Sequence, residues 1–402
     1  MRKNLLSLDI GTSNIHLTVA KTDPFQVLLN LKRPSAGIKK GIIANNDETV
    51  TALDNILEEA SSLTNLNIQK SITTVGGSQL ETRKSKGVAI IANDNNEITQ
   101  DDILRAQQSS QSFSLPPNRT LLHTIAQKYV VDGNEVIDNP CGMTGMRLEV
   151  ESLIIDAFMP NIKNLENVLD GVGLKNEAFV ANPLAGSYEA LTQQEKNLGA
   201  IAIDLGSGTC SFSVFEDGVL VYLKVLPVGS NYISNDICLW LKIAQEDGEK
   251  IKLSVGDAYP SKVDKKDMVN LGSFVQNEDK TFSRRELAEV IEARLSQIFE
   301  FINEDLKQIG KYAKLPGGAI LYGGGAQIPH LVDLAKDRLN LPVRLAKYEE
   351  IEMSGESDLS FMNTLGAIKW YGDAANLKES QALGKQGGVM DKFKQFFSNF
   401  RP

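Results

Sequence analysis

Cysteine and histidine are scarce in this 402-residue chain, at three each, and both shortages narrow the function. Cys141, Cys210 and Cys238 are too few and too scattered for a disulfide framework, and they read as small core residues in a reducing compartment. His16, His123 and His330 have no second ligand at metal spacing, which argues against a zinc or iron centre. No apolar run reaches the ~18 residues of a membrane span. Residues 1–8 also lack the charged start and long apolar stretch of a signal peptide, so a cytoplasmic body is expected. Positive charge is in deficit too. A formal net charge of -9 would repel phosphate backbones, so no nucleic-acid partner is expected and the body should stay off anionic lipid.

What remains is an ordinary globular composition, 42% hydrophobic and 23% charged. Single cores stop growing at roughly 250–300 residues, so two or more lobes are expected. One pattern occurs twice, about half a chain apart. An apolar run ends in Asp9, then Ile10, Gly11, Thr12, Ser13 and Asn14, then a β-rich run over 15–20. A second apolar run ends in Asp204, then Leu205, Gly206, Ser207, Gly208 and Thr209, then a β-rich run over 210–215. Both read as hairpins. Glycines let a turn backbone approach a ligand, and exposed turn N–H groups form an anion-binding concavity. An acid beside that concavity makes sense if it holds Mg2+ through water, because Mg2+ prefers one or two carboxylates with phosphate oxygens. The plainer alternative is two unrelated turns in which Asp and Gly only shape the bend. A third cluster, Gly323, Gly324 and Gly325, follows another short apolar strand and precedes a helix expected from about residue 328. There a flat base or sugar could lie on the backbone.

In order and spacing these segments resemble the first phosphate, second phosphate and adenosine loops of the actin/Hsp70/sugar-kinase superfamily. Between the halves lie a strand over 87–92, a helix capped by Thr99, and strands over 120–131 and 147–158. Leu115-Pro116-Pro117-Asn118-Arg119 with His123, then Asn139-Pro140-Cys141-Gly142-Met143-Thr144-Gly145-Met146-Arg147, resembles subdomain 1C of the bacterial cell-division family FtsA.

The resemblance implies an α/β, actin-like two-lobed fold of duplicated ribonuclease-H-like cores with an inserted α+β subdomain 1C and a C-terminal amphipathic helix. It divides the chain into subdomain 1A (1–84 and 161–197), 1C (85–160), 2A (198–230) and 2B (231–315), then a closing segment with the adenosine loop (316–372), a flexible linker (373–388) and a membrane-targeting helix (389–402). It implies ATP and Mg2+ as cofactors. The implied partners are the chain itself in a filament, the C-terminal peptide of the tubulin-like polymer FtsZ, inner-membrane lipids and other division proteins. The implied place is the cytoplasmic face of the membrane at the division site. Glu249 and Lys252 match a pair that packs on adenine and ribose, although one helical turn also suits a surface ion pair. Arg284, Arg285 and Arg294, on a helix over 285–306, are candidate contacts to an acidic peptide, although a solvated helix face is the default.

Three departures bear on mechanism. Asn14 stands where the family commonly has Lys, Asn182 where relatives have a water-orienting Glu, and Ser211 where a second acid is usual. Asn can hold a water but cannot take its proton. Nucleotide binding with slow or absent hydrolysis is therefore expected. A PilM-like pilus scaffold is the alternative, and a small-molecule kinase lacks its carboxylate here. A chaperone ATPase would need a separate substrate-binding domain.

The tail needs no resemblance to be read. Val389, Met390, Phe393, Phe396, Phe397 and Phe400 form one helical stripe, and Lys392, Lys394 and Arg401 lie on the other face. With Asp391 as its one acid the segment carries +2, leaving -11 on the rest. A basic amphipathic helix behind a linker suits interfacial attachment, whereas folding back onto the body is the other possibility. One such tail binds weakly, and several on a filament bind tightly through effective concentration. Co-sedimentation with anionic liposomes should fall sharply for Phe396→Glu/Phe400→Glu; equal pelleting of variant and wild type would remove the tail's role.

Overall fold

The duplication read from two hairpins extends to two whole sheets. In the computed structural model, which describes residues 4–22, 24–112, 115–136, 139–276, 278–348 and 353–383, five strands of each half follow one order. The first sheet has six strands and runs Met353–Gly355, Phe25–Pro34, Asn14–Thr22, Asn4–Ile10, Lys70–Val75, Lys175–Ala181, with the edge strand Met353–Gly355 having no counterpart in the second. The second runs Val219–Leu226, Cys210–Glu216, Ala200–Leu205, Gly318–Tyr322, Val343–Leu345. In each, three strands form an antiparallel meander and two more lie parallel to the central one. Central strands read as continuous apolar runs because both faces are covered; Leu8 and Ile203 are fully buried.

Each half has its own core, and a third core lies between them. Leu17, Leu53 and Ile56 anchor the first, whereas Phe212, Ile291 and Leu334 anchor the second. The shared core gathers Ile72, Leu184, Phe215, Ile320, Met362 and Ile368 from both. Two helices cross through it, Asn182–Ala190 and Met362–Leu383. Their approach depends on glycine. A Cβ at Gly366 would stand 1.8 Å from the Ala185 carbonyl oxygen.

The insertion is a four-stranded sheet, Glu81–Ile90, Arg147–Phe158, Arg119–Val131, Asn134–Val136, covered by the helix Gln100–Ser110. Thr99 caps that helix in a capping box with Asp102, as its sequence predicts. The first strand starts before the expected boundary at 84. His123 ties the insertion to the first sheet and the crossing helix: its Nε2 accepts from the Ala181 N–H at 3.1 Å, and its ring meets Trp370 edge-on. Burial pushes its pKa down to about 3, so the ring stays a neutral acceptor.

Two expectations need correction. The helix after the glycine cluster begins at Leu331, not near 328, and a 3-10 turn over Gly324–Gln327 precedes it. Pro329 disfavours helical backbone at Ile328, and His330 takes a positive φ of 58°. The helix Met362–Leu383 also runs into the expected linker, because no Gly or Pro interrupts residues 373–383. The predicted membrane helix over 389–402 lies outside the described residues, among which no helix is long and apolar enough to cross a membrane. Gly366→Ala should cost about 1–3 kcal/mol, since backbone cannot yield to the added methyl; urea unfolding measures it, and an unchanged midpoint would contradict the crossing geometry.

Candidate functional site

Asp9 and Asp204 are each the penultimate residue of their central strand, so the repeated topology brings their carboxylates together where the halves meet. Asp9 Oδ1 accepts from Thr74 Oγ1 at 2.8 Å and from Asn182 Nδ2 at 3.0 Å. Its Oδ2 accepts from Asn363 Nδ2 at 3.1 Å, and the same nitrogen donates to Asp204 Oδ2 at 3.0 Å. Burial pushes the Asp204 carboxyl up to about 7; the Asn363 hydrogen bond opposes this and the Asp9 charge adds to it. The opposite strands differ: His16 faces Asp9 in register, and Ser211 faces Asp204. His16 is buried with both ring nitrogens unpartnered, and desolvation holds it neutral.

The two loops touch above this floor. Ser13 Oγ and Ser207 Oγ lie 2.6 Å apart. The first turn closes through the Gly11 N–H to the Asn14 carbonyl at 3.0 Å, and Thr12 Oγ1 accepts from the Gly41 N–H. A Cβ at Gly208 would stand 2.3 Å from Thr12 Oγ1, so glycine there permits the loop contact. Thr209 completes the second turn, whose carbonyls at Gly206 and Ser207 accept from the Ser230 and Asn231 N–H groups opening the helix Ser230–Leu241. Gly323, at a φ of +86°, backs onto Asp204, where a Cβ would come within 2.2 Å of the carboxylate. Gly325 packs on Leu205, and Gly324 meets nothing within 4 Å.

Glu249 and Lys252 are not a surface pair. Lys252 is buried, bonding Glu249 at 2.6 Å and the Ser230 carbonyl at 3.3 Å, and Ser234 also donates to Glu249. Burial lowers the Lys252 pKa against the opposing pull of Glu249. Arg284 and Arg294 are largely engaged within the chain, which qualifies their expected role. Arg284 bonds Asp267 and the Val255 carbonyl, and Arg294 forms a fork on Asp236 over the Tyr232 ring. Arg285 has only a 3.8 Å contact with Glu289.

Sequence reasoning missed Asn363, Thr74, Tyr322 and His16. Asn363 sits in an apolar helix pattern with no motif spacing, so only the fold reveals it. The donor set suits a hydrated divalent cation: two carboxylates lie beside the amide oxygen of Asn182, which is buried without a hydrogen-bond partner. Spare acceptors around two acids are what a cation and its waters require.

Comparison with known proteins gives the family. Residues 201–366 match the family described as Cell division protein FtsA, and residues 77–156 match the SHS2 domain inserted in FTSA. The Cell division protein FtsA of Bacillus subtilis is 33% identical over 367 residues, covering 91% of this chain and 82% of that one. The chain belongs to the FtsA family. Its Borreliella burgdorferi relative is 31% identical, with 99% of each covered. Among solved structures, the PilM-PilN type IV pilus biogenesis complex superposes at a TM-score of 0.67 and 16% identity, covering 92% of this chain and 99% of that one. MreB5 of Spiroplasma citri bound to ADP gives 0.56 and 15%, covering 94% and 98%. These likenesses establish an actin-like fold for this FtsA-family chain.

Because the folded chain holds the Asp204 proton more tightly than the unfolded chain, ionisation of Asp204 opposes folding. The loss accrues as pH rises from 3.8 through about 7. In EDTA, Asp204→Asn should therefore melt above wild type at pH 8, with the gap narrowing toward pH 5. A pH-independent gap would show that Asp204 is not held protonated by burial.

Proposed function

We propose that this FtsA-family protein binds Mg-ATP between its halves as a conformational and assembly ligand, polymerises on the inner face of the cytoplasmic membrane, and tethers FtsZ at the division site. The observation that carries the nucleotide reading is the convergence of Asp9 and Asp204, one from each half, beneath two touching glycine loops. Asp9 and Asp204 would hold Mg2+ through water. When bound, the ion would screen phosphate charge. The backbone of Gly11, Thr12, Ser13 and Asn14 and of Gly206, Ser207, Gly208 and Thr209 would cradle phosphate oxygens. Glu249 and Lys252 would face the ribose and base, with Gly323, Gly324 and Gly325 beneath. ADP in the structure of MreB5 supports a nucleotide in this fold.

Hydrolysis needs a group that takes a proton from water, and neither expected position offers one. Asn182 spends its N–H on Asp9, and Ser211 is buried opposite Asp204. A ligand can shift two states through differential affinity without being consumed. The tail over 389–402 would supply lipid attachment, and avidity would couple it to filament growth. The helix Arg284–Gln308 would meet the acidic FtsZ peptide mainly through Arg285, with Arg284 and Arg294 at its flanks. The tail also argues against a PilM-like role, since such scaffolds attach through a membrane partner's peptide.

Binding of a fluorescent ATP analogue with Mg2+, followed by phosphate release, tests this reading. Saturable binding with turnover below ~1 per minute is expected, far under ordinary enzyme rates of roughly 1–10³ per second. No binding, or brisk turnover, would overturn it. Electron microscopy on a lipid monolayer with Mg-ATP tests polymerisation and attachment together.

A further inference from the structure

Asn363 belongs to neither loop nor either aspartate strand, yet among the described residues it is the one side chain that bonds both aspartates. It opens the helix Met362–Leu383 and is almost wholly buried. Its two N–H groups go to Asp9 of the first half and Asp204 of the second, at 3.1 and 3.0 Å. Its Oδ1 has no partner. The side chain is therefore held for its donors while its acceptor goes unused. A Cβ at Gly186 would stand 2.4 Å from that Oδ1, so the crossing helix confines the amide. The Tyr322 hydroxyl beside it is also buried and unpartnered.

A neutral amide can bridge two like charges but cannot neutralise them, whereas a divalent cation does both. We infer that Asn363 is a positioning residue that acts as the hinge pin of the cation-free protein, holding Asp9 and Asp204 together until a divalent cation takes over that role. This rests on the proposed Mg-nucleotide site. Because Asn363 starts the helix that crosses between the halves, the exchange would move that helix relative to the aspartates and couple ligand state to hinge geometry.

Thermal melting of the full chain tests this, with wild type and Asn363→Ala each compared in EDTA and in saturating Mg-ATP. The variant should melt several degrees lower in EDTA and recover at least half of that deficit in Mg-ATP, because the cation replaces the lost bridge. An equal deficit in both conditions means that Asn363 is only a packing residue and overturns the inference, while a wild-type shift with Mg-ATP would leave the nucleotide reading standing. A wild type unmoved by Mg-ATP overturns both. Should Asn363→Ala fail to fold, Asn363→Asp provides the same test. Its third carboxylate should make melting depend more steeply on Mg2+ than in wild type, with no such effect from NaCl at matched ionic strength; an unchanged Mg2+ dependence overturns the inference.

Discussion

Two carboxylates share one amide nitrogen at the junction of two half-molecules. Like charges in a partly desolvated place repel strongly, because scarce water lowers the effective dielectric constant. The structure holds them with four hydrogen bonds from neutral donors, supplied by Thr74, Asn182 and Asn363, rather than with a lysine or arginine. Burial outweighs the Asn363 hydrogen bond and pushes the Asp204 carboxyl up to about 7. A site built this way is under electrostatic tension that a cation would relieve.

The fold makes the convergence unavoidable. Two sheets that share the order of five strands, packed across a shared core, bring the ends of their aspartate strands to the same level. Crossing helices then close the floor, and glycines at 186 and 366 set how tightly they do so. Small differences break the pseudo-symmetry: a neutral histidine faces one aspartate and a serine the other. The insertion leans on the same region through His123, which meets the Ala181 N–H and the Trp370 ring on the crossing helix.

The surface of the second half follows another logic. Its two best-placed arginines are paired to Asp267 and Asp236, which orders the helix Arg284–Gln308 but spends the charge an acidic partner would seek. Lys252 shows the reverse case. A spacing that suits a weak surface pair here has its lysine buried, where the bond from Lys252 to the Ser230 carbonyl and that from Ser234 to Glu249 hold the helix Gln245–Val255 to the helix that begins at Ser230.

Residue spacing alone determined the two hairpins, both aspartates, the glycine turns and the Thr99 cap, because each is a local pattern with a physical signature within a few residues. It also placed Glu249 and Lys252 together, but could not say that the lysine is buried, since burial depends on what the rest of the chain lays over a helix face. The helix end near residue 383 and the late start at Leu331 were misjudged where local propensity and a proline-positive-φ step compete. Only the tertiary structure decided that Asn363, more than 150 residues from either aspartate, would bridge them. Nothing near it in the chain marks it, because its role exists only once both halves have folded and met.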